Sequence, residues 1–270
     1  MSQIYIIMIL TIIGAGNMGS AIACGLSCSK LNNELEIRCT DIMPGKLRKI
    51  QETNGAVQVT TDNAAAVKDA DIVILAVKPW LVETTIEEIK PALDYKRQVF
   101  VPIAAGIDFS QLSGFLKKEE DDLPAMFRII PNTAIAVKES VNLIAAYNAS
   151  QTQVDLILKL FDELGLTILI EERLLGAGTA LASCGIAYAF RYIRAAVTGA
   201  VELGLSPEAA KKIEMQTLRG AITLLETNNS HPEVEIDKVT TPGGITIKGL
   251  HAMEEAGFTN SVIKGLIASG

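Results

Sequence analysis

The sequence predicts an α/β fold, with a mostly parallel sheet domain over residues 1–172 followed by an all-α domain over residues 173–270. Three observations predict it. Short apolar runs rich in β-branched residues alternate with helix-length segments as far as Glu172, the pattern of strand–helix–strand units. The first run opens directly into a glycine-rich turn. Beyond Glu172 the β-branched runs stop and helical periodicity takes over. The 270 residues are enough for two ordinary domains. They are 49% hydrophobic but only 5% aromatic, so the core must be built from Ile, Leu, Val and Ala.

Taken in order, Ile4 to Ile13 is almost wholly apolar and reads as a buried parallel strand. It is too short to span a bilayer, which needs roughly 20 such residues. It also lacks the basic flank and small-residue cleavage site of a leader, so a cytoplasmic protein is expected. The strand runs into Gly14-Ala15-Gly16-Asn17-Met18-Gly19, then a helix carrying Ile22, Ala23 and Leu26, then a strand from Leu35 to Thr40 ending at Asp41. Strand, G-x-G-x-x-G, helix, strand and acid in that order are the dinucleotide fingerprint of a Rossmann-type domain. Gly14 permits the tight turn, Gly16 lets the backbone approach a pyrophosphate, and Gly19 lets helix and strand pack closely. Asp41 stands 22 residues after Gly19, where a carboxylate accepts hydrogen bonds from the adenosine ribose. A carboxylate there repels a 2′-phosphate and favours NADH. Lys46 and Arg48 lie close enough to soften that preference, or form only the exposed face of the next helix.

Further strands are expected over Ala56–Val59, Asp71–Val77, Val99–Ile103, Met126–Ile130, Asn142–Ala146 and Thr167–Ile170. A helix begins near Asn63, and another runs from Thr152 to Leu164 with Gly165 as its stop. Val77-Lys78-Pro79 turns the chain out at a carboxyl end of the sheet, where ligands of open α/β sheets bind. Lys78 is placed either to reach cofactor phosphate or ribose or to sit in solvent. Ile103-Ala104-Ala105-Gly106 offers small residues that leave room for a flat ring. Asn132 either hydrogen-bonds a carboxamide or closes an Asx turn. Lys117 to Asp122 is a charge run that reads as a solvated loop.

The all-α part begins with an Ala- and Gly-rich helix closed by Gly204. Ser206-Pro207 starts the next, which runs to about Glu226 and a loop at Asn228–His231. An apolar, Ala-rich helical domain of this size is often completed by a second copy, so a homodimer is expected, with higher homo-oligomers open. Near its end Thr241-Thr246 encloses Gly243-Gly244, a turn feeding the N-terminus of a helix stopped by Gly257. Free backbone N–H groups at such a terminus suit a small carboxylate; on the residues alone, a plain turn and capped helix with no ligand is the simpler account. Net charge −7 provides no basic stripe for nucleic acid. Cys24, Cys28, Cys39 and Cys184, with only His231 and His251, form no metal-ligand pattern.

Gly14 to Gly19, Ala76-Val77-Lys78-Pro79, Ala104-Ala105-Gly106, Pro131-Asn132-Thr133 and Thr241-Pro242-Gly243-Gly244-Ile245-Thr246 together resemble pyrroline-5-carboxylate reductase, over essentially the whole chain. The resemblance implies reduction of the cyclic imine 1-pyrroline-5-carboxylate to L-proline with NAD(P)H, the last step of proline biosynthesis, by direct hydride transfer. It implies that Ile13, Gly14, Ala15, Gly16, Asn17, Met18, Gly19, Asp41, Asn63, Val77, Lys78, Pro79, Ile103, Ala104, Ala105 and Asn132 line the dinucleotide. Thr241, Gly243, Gly244 and Thr246 then hold the imino acid, Thr246 nearest the ring nitrogen, and the helical domain dimerises. The chain departs from the family at Ala182-Ser183-Cys184-Gly185-Ile186-Ala187-Tyr188, which lacks the usual proline and one glycine. Members often prefer NADPH, against the leaning of Asp41. Two rivals stand beside this reading: a 3-hydroxy-acid dehydrogenase, disfavoured because no lysine lies between Cys184 and Arg194, and a non-catalytic dinucleotide sensor, which would not need Thr241–Thr246.

Overall fold

The structure, a computed structural model, describes residues 7–118 and 122–270. Ile4, Tyr5 and Ile6 of the expected first strand, and Glu119, Glu120 and Asp121 of the charge run, lie outside the described residues. Contacts divide the chain into two compact units, one ending at Ser183 and one beginning at Cys184.

In the first unit, eight strands form one sheet: β1 Met8–Ile13, β2 Leu35–Thr40, β3 Gln58–Thr60, β4 Ile72–Leu75, β5 Val99–Pro102, β6 Ala125–Ile130, β7 Ser140–Tyr147 and β8 Gly165–Leu169. Their order is β3-β2-β1-β4-β5-β6-β7-β8. All neighbours are parallel except β6 and β7, which pair antiparallel from Met126↔Tyr147 to Ile130↔Leu143. Helices α1 Asn17–Ser27, α2 Pro44–Thr53, α3 Asn63–Val67, α4 Val82–Ile89, α5 Phe109–Leu116 and α6 Gln151–Asp162 connect them.

Side chains alternate across a strand, and the apolar strands therefore feed two cores. Leu10, Ile12, Ile72, Ile74 and Val101 join Ile22, Leu26 and Phe161 on one face. Ile13, Val73, Leu75 and Phe100 join Ile86, Leu112 and Leu116 on the other. Each such side chain contributes roughly 1.5–3 kcal/mol on burial. Gly165 does not merely stop α6. It opens β8 at φ +140, and a Cβ there would lie 2.1 Å from the Ser140 carbonyl oxygen. Glycine is needed because the β7–β8 ladder begins at Ser140↔Gly165 with the backbones in close approach.

The composition change places the domain boundary at 172/173, whereas the units divide after Ser183. Residues beyond Glu172 still pack on the sheet: Leu175 is buried in the second core, and a Cβ on Gly178 would lie 2.4 Å from Leu143 Cδ1. The helical path from α7 Leu175–Gly178 passes through a π-helical turn at Thr179–Cys184 into α8 Gly185–Glu202. That wide turn falls where the chain departs from the proline- and glycine-rich pattern, and helix continues through it. The second unit adds α9 Pro207–Asn228, α10 Pro232–Val239, α11 Ile245–Glu255 and α12 Phe258–Ile267. Helix α10 begins directly after the expected loop, with Pro232 as its first residue.

Candidate active site

The three glycines after β1 are required for different reasons. Gly14 sits at φ +106, and a Cβ there would lie 2.6 Å from the Ala76 carbonyl oxygen; its N–H donates to Thr40 O at 2.7 Å. Gly19 is fully packed, since a Cβ would stand 1.9 Å from Gly14 O. Around Gly16, by contrast, no atom lies within 4 Å of a built Cβ. Gly16 is the N-cap of α1 and offers no side-chain hydrogen bond to its first turn. An open surface beside uncapped N–H groups at the positive end of a helix fits a pyrophosphate.

Asp41 lies just past β2 and is buried, with 8% of its surface exposed. Its Oδ2 accepts from the Ala15 N–H at 2.9 Å and from Lys46 Nζ at 3.0 Å, and its Oδ1 accepts from the Met43 N–H at 2.9 Å. A carboxylate has about four acceptor positions, so three are engaged and one remains. Asn63 is also buried. Its Oδ1 accepts from Thr40 Oγ1 at 2.5 Å and its Nδ2 donates to Glu88 at 3.1 Å. Asp41, expected at the adenosine ribose, and Asn63, expected to line the dinucleotide, are thus already held in place.

At the end of β4, Ala76 N–H still donates to Ile13 O at 2.8 Å. Val77 is half-buried, and Lys78 is exposed with no hydrogen bond to its ammonium among the described residues. Pro79 opens a single tight turn, Pro79–Leu81. After β5, the Ile103 N–H donates to Leu75 O at 3.1 Å. Ala104 is buried, Ala105 is exposed, and Gly106 turns the chain away at φ +83. Ile13 ends β1, and Ala15, Val77 and Ile103–Ala105 follow the carboxyl ends of the adjacent central strands β1, β4 and β5. Asn132 forms the Asx turn: its Oδ1 accepts from Ala134 N–H at 3.0 Å, and its Nδ2 donates to Ala182 O at 3.3 Å. Its own N–H donates to Ser140 Oγ at 3.0 Å.

In the helical unit, Gly243 takes φ +71. The Gly244 N–H donates to Thr241 O at 2.9 Å, so it is not free for a ligand as the sequence alone suggests. Gly244 instead supplies space, since a Cβ there would lie 2.6 Å from Thr241 Oγ1. Helix α11 follows without a side-chain cap. Its first-turn N–H groups have no intrahelical partner, and Thr241 and Thr246 are exposed.

All four thiols are free. Burial, with Asp41 and Cys24 adding to it, pushes the Cys39 thiol up to about 12, so it stays protonated and acts as an apolar filler.

Two family models match. One described as pyrroline-5-carboxylate reductase dimerisation covers residues 172–269, and one described as NADP oxidoreductase, coenzyme F420-dependent, covers residues 9–106. The chain is 34% identical to pyrroline-5-carboxylate reductase 2 of Dictyostelium discoideum, over 96% of this chain and 90% of that protein. The chain belongs to the pyrroline-5-carboxylate reductase family. It is 36% identical to reductase 1 of the same organism, again over 96% of its own length, but spans about half (48%) of that longer protein. Among solved structures, a 1-pyrroline-5-carboxylate reductase from Streptococcus pyogenes superposes with TM-score 0.85 at 30% identity, covering 97% of this chain and 96% of the other.

One ion pair escaped the family's motifs. Arg128 stands alone among apolar residues in β6, buried at 8% exposure, and donates to Glu172 Oε1 at 2.7 Å. The same oxygen accepts from the Phe109 N–H at 2.7 Å. A lone charge in an apolar strand requires a partner, and that is the signal by which the pair could have been found.

Proposed function

We infer that the chain reduces the imine of 1-pyrroline-5-carboxylate to L-proline with a nicotinamide dinucleotide. The observation that carries this reading is the Thr241–Thr246 turn. It supplies unpaired first-turn N–H groups at an uncapped helix start, beside two exposed hydroxyls, in a chain of the reductase family. When bound, the dinucleotide would supply a hydride to the carbon of the protonated imine; the C=N π pair passes to the ring nitrogen, which keeps the proton it carried and takes its second from solvent. The chain's part is positioning. The uncapped start of α1 and the open face of Gly16 hold the pyrophosphate, Lys78 adds a cation at the phosphates or ribose, and the small residues Ala104 and Ala105 leave room for the flat ring. Asn132 shapes the nearby loop through its Asx turn. Thr241 and the Gly243 N–H, with the first turn of α11, grip the carboxylate. Thr246 Oγ1 hydrogen-bonds the ring nitrogen and orients it.

The same reading makes the protein a cytoplasmic homodimer that needs neither nucleic acid nor membrane. Residues Glu172–Glu202 are long and apolar enough, at mean hydropathy 1.2, to cross a bilayer by composition. The match of the dimerisation family from residue 172 onward supports assigning that apolar run to a subunit interface instead.

The test mixes the protein with pyrroline-5-carboxylate and NADH or NADPH and follows loss of the nicotinamide absorbance. No turnover with either cofactor overturns the reading. Thr246→Ala is expected to lower kcat about tenfold to a hundredfold, the worth of one hydrogen bond to a charged group, with cofactor affinity unchanged. Full activity in Thr246→Ala removes that residue from the mechanism.

A further inference from the structure

We propose that Lys46 is a movable counter-ion that lets one adenosine site accept both NADH and NADPH; this rests on the dinucleotide reading above. Asp41 occupies the position where the adenosine ribose is recognised in such domains. A bare buried carboxylate there would repel a 2′-phosphate. Here the carboxylate is neither bare nor mobile. Two backbone N–H groups, from Ala15 and Met43, hold it from two sides at 2.9 Å each. These bonds tie it to the glycine turn and to the start of α2.

The third bond is of another kind. Lys46 reaches Asp41 Oδ2 at 3.0 Å from the first turn of α2, and its side chain is 43% exposed against 7% for Asp41. Asp41 is its only salt-bridge partner among the described residues. An ammonium in the first turn of a helix sits at the positive end of the dipole, where cations are disfavoured. It therefore requires an anion beside it, and either Asp41 or a ligand phosphate meets the need. Space for such a phosphate exists on the same turn. Pro44 begins α2 with no side-chain cap, and a Cβ on Gly45 would meet no atom within 4 Å.

The two cofactors then use the pair differently. With NADH, one ribose hydroxyl donates to the acceptor position that Asp41 has left, and Lys46 stays in place. With NADPH, Lys46 pivots onto the 2′-phosphate, while the two backbone bonds keep Asp41 fixed and partly neutralised. The flexible four-carbon stem of lysine suits this exchange, since its ammonium acts as a point charge with three rotatable donors. The NADPH complex depends on one more half-exposed ion pair than the NADH complex and weakens more steeply with ionic strength.

Calorimetric titration of the whole protein with each cofactor tests this without turnover. The wild type is expected to bind NADH and NADPH within about tenfold of one another. Lys46→Gln should weaken NADPH by about tenfold or more and change NADH by less than about twofold, while Lys46→Arg keeps NADPH binding. Adenosine 2′,5′-bisphosphate should follow NADPH, and AMP should follow NADH. Equal weakening of both cofactors by Lys46→Gln, or unaltered NADPH affinity, overturns the proposal. Failure of the wild type to bind either cofactor overturns the dinucleotide reading along with it. Loss of turnover with binding intact overturns only the assigned reaction.

Discussion

At the scale of single residues, the glycine turn separates packing from binding. A Cβ at Gly19 would lie 1.9 Å from Gly14 O, backbone that cannot move without shifting β1 against α1. Gly19→Ala is therefore expected to destabilise the protein by about 3 kcal/mol, the upper part of the range for overpacking. Gly16→Ala meets nothing within 4 Å and should leave the melting temperature nearly unchanged. Its methyl group would instead stand where a pyrophosphate must approach, weakening dinucleotide binding by about tenfold or more. Thermal melts and cofactor titrations on both variants check the split, and a Gly16→Ala protein with full cofactor affinity would remove this turn from the cofactor site. The close packing at Gly14 and Gly19 and the open face at Gly16 were legible in the sequence because each follows from backbone geometry at a fixed spacing. The state of Asp41 was not. Its engagement depends on where the Lys46 side chain comes to rest, and spacing indicates only that the two are near.

At the scale of elements, apolar runs between glycines and prolines were enough to find the strands, but pairing direction needed another signal. Strands β6 and β7 are joined by residues 131–139, which hold only a short tight helical turn, Thr133–Val137. A parallel crossover takes a dozen or more residues, so this connection requires the antiparallel pair that is observed. Strands β7 and β8, joined through α6, return to parallel. Composition changes at Glu172, where the dimerisation family model also begins, whereas contacts divide the chain after Ser183 because packing on the sheet continues past Glu172. The Arg128–Glu172 pair is part of that continuation. It ties the start of the helical run to β6 and, through Phe109 N–H, to the start of α5. Arg128 Nε already lacks a partner, so removing Glu172 would strand a buried guanidinium whose side chain is only 10% exposed. Glu172→Ala should cost about 2 kcal/mol in urea unfolding. Arg128→Met should cost less, about 1 kcal/mol, because Glu172 is partly exposed and keeps its bond to Phe109. The reverse order would show that the pair is not what anchors this segment.

At the scale of the whole molecule, the helical unit cannot account for its own stability. From Cys184 onward only Ala210 is buried among the described residues. Meanwhile Phe190 is 61% exposed, Leu203 88%, Ile222 56% and Ile267 73%. A domain of this size needs a core to offset chain entropy of roughly 1–2 kcal/mol per ordered residue, and one alanine does not provide it. Internal bonds such as Tyr188 hydroxyl to Gly265 O at 3.1 Å help only locally. The missing apolar contacts must come from outside the single chain. On the homodimer proposed above, which a family model named for dimerisation supports, a second copy covers this apolar surface. On that reading folding of this unit and association are one event, and stability is expected to depend on protein concentration. Sedimentation should give twice the 28.9 kDa chain mass, and the melting temperature should rise with concentration. Phe190→Asp places a charge on the exposed apolar surface of α8. It should shift the mass toward monomer, with loss of helical circular dichroism and of turnover together. Dinucleotide binding should survive, because the glycine turn and Asp41 belong to the unit that has its own two cores. A wild type that sediments as a monomer with its full helical signal would mean that this unit is stable without a second copy.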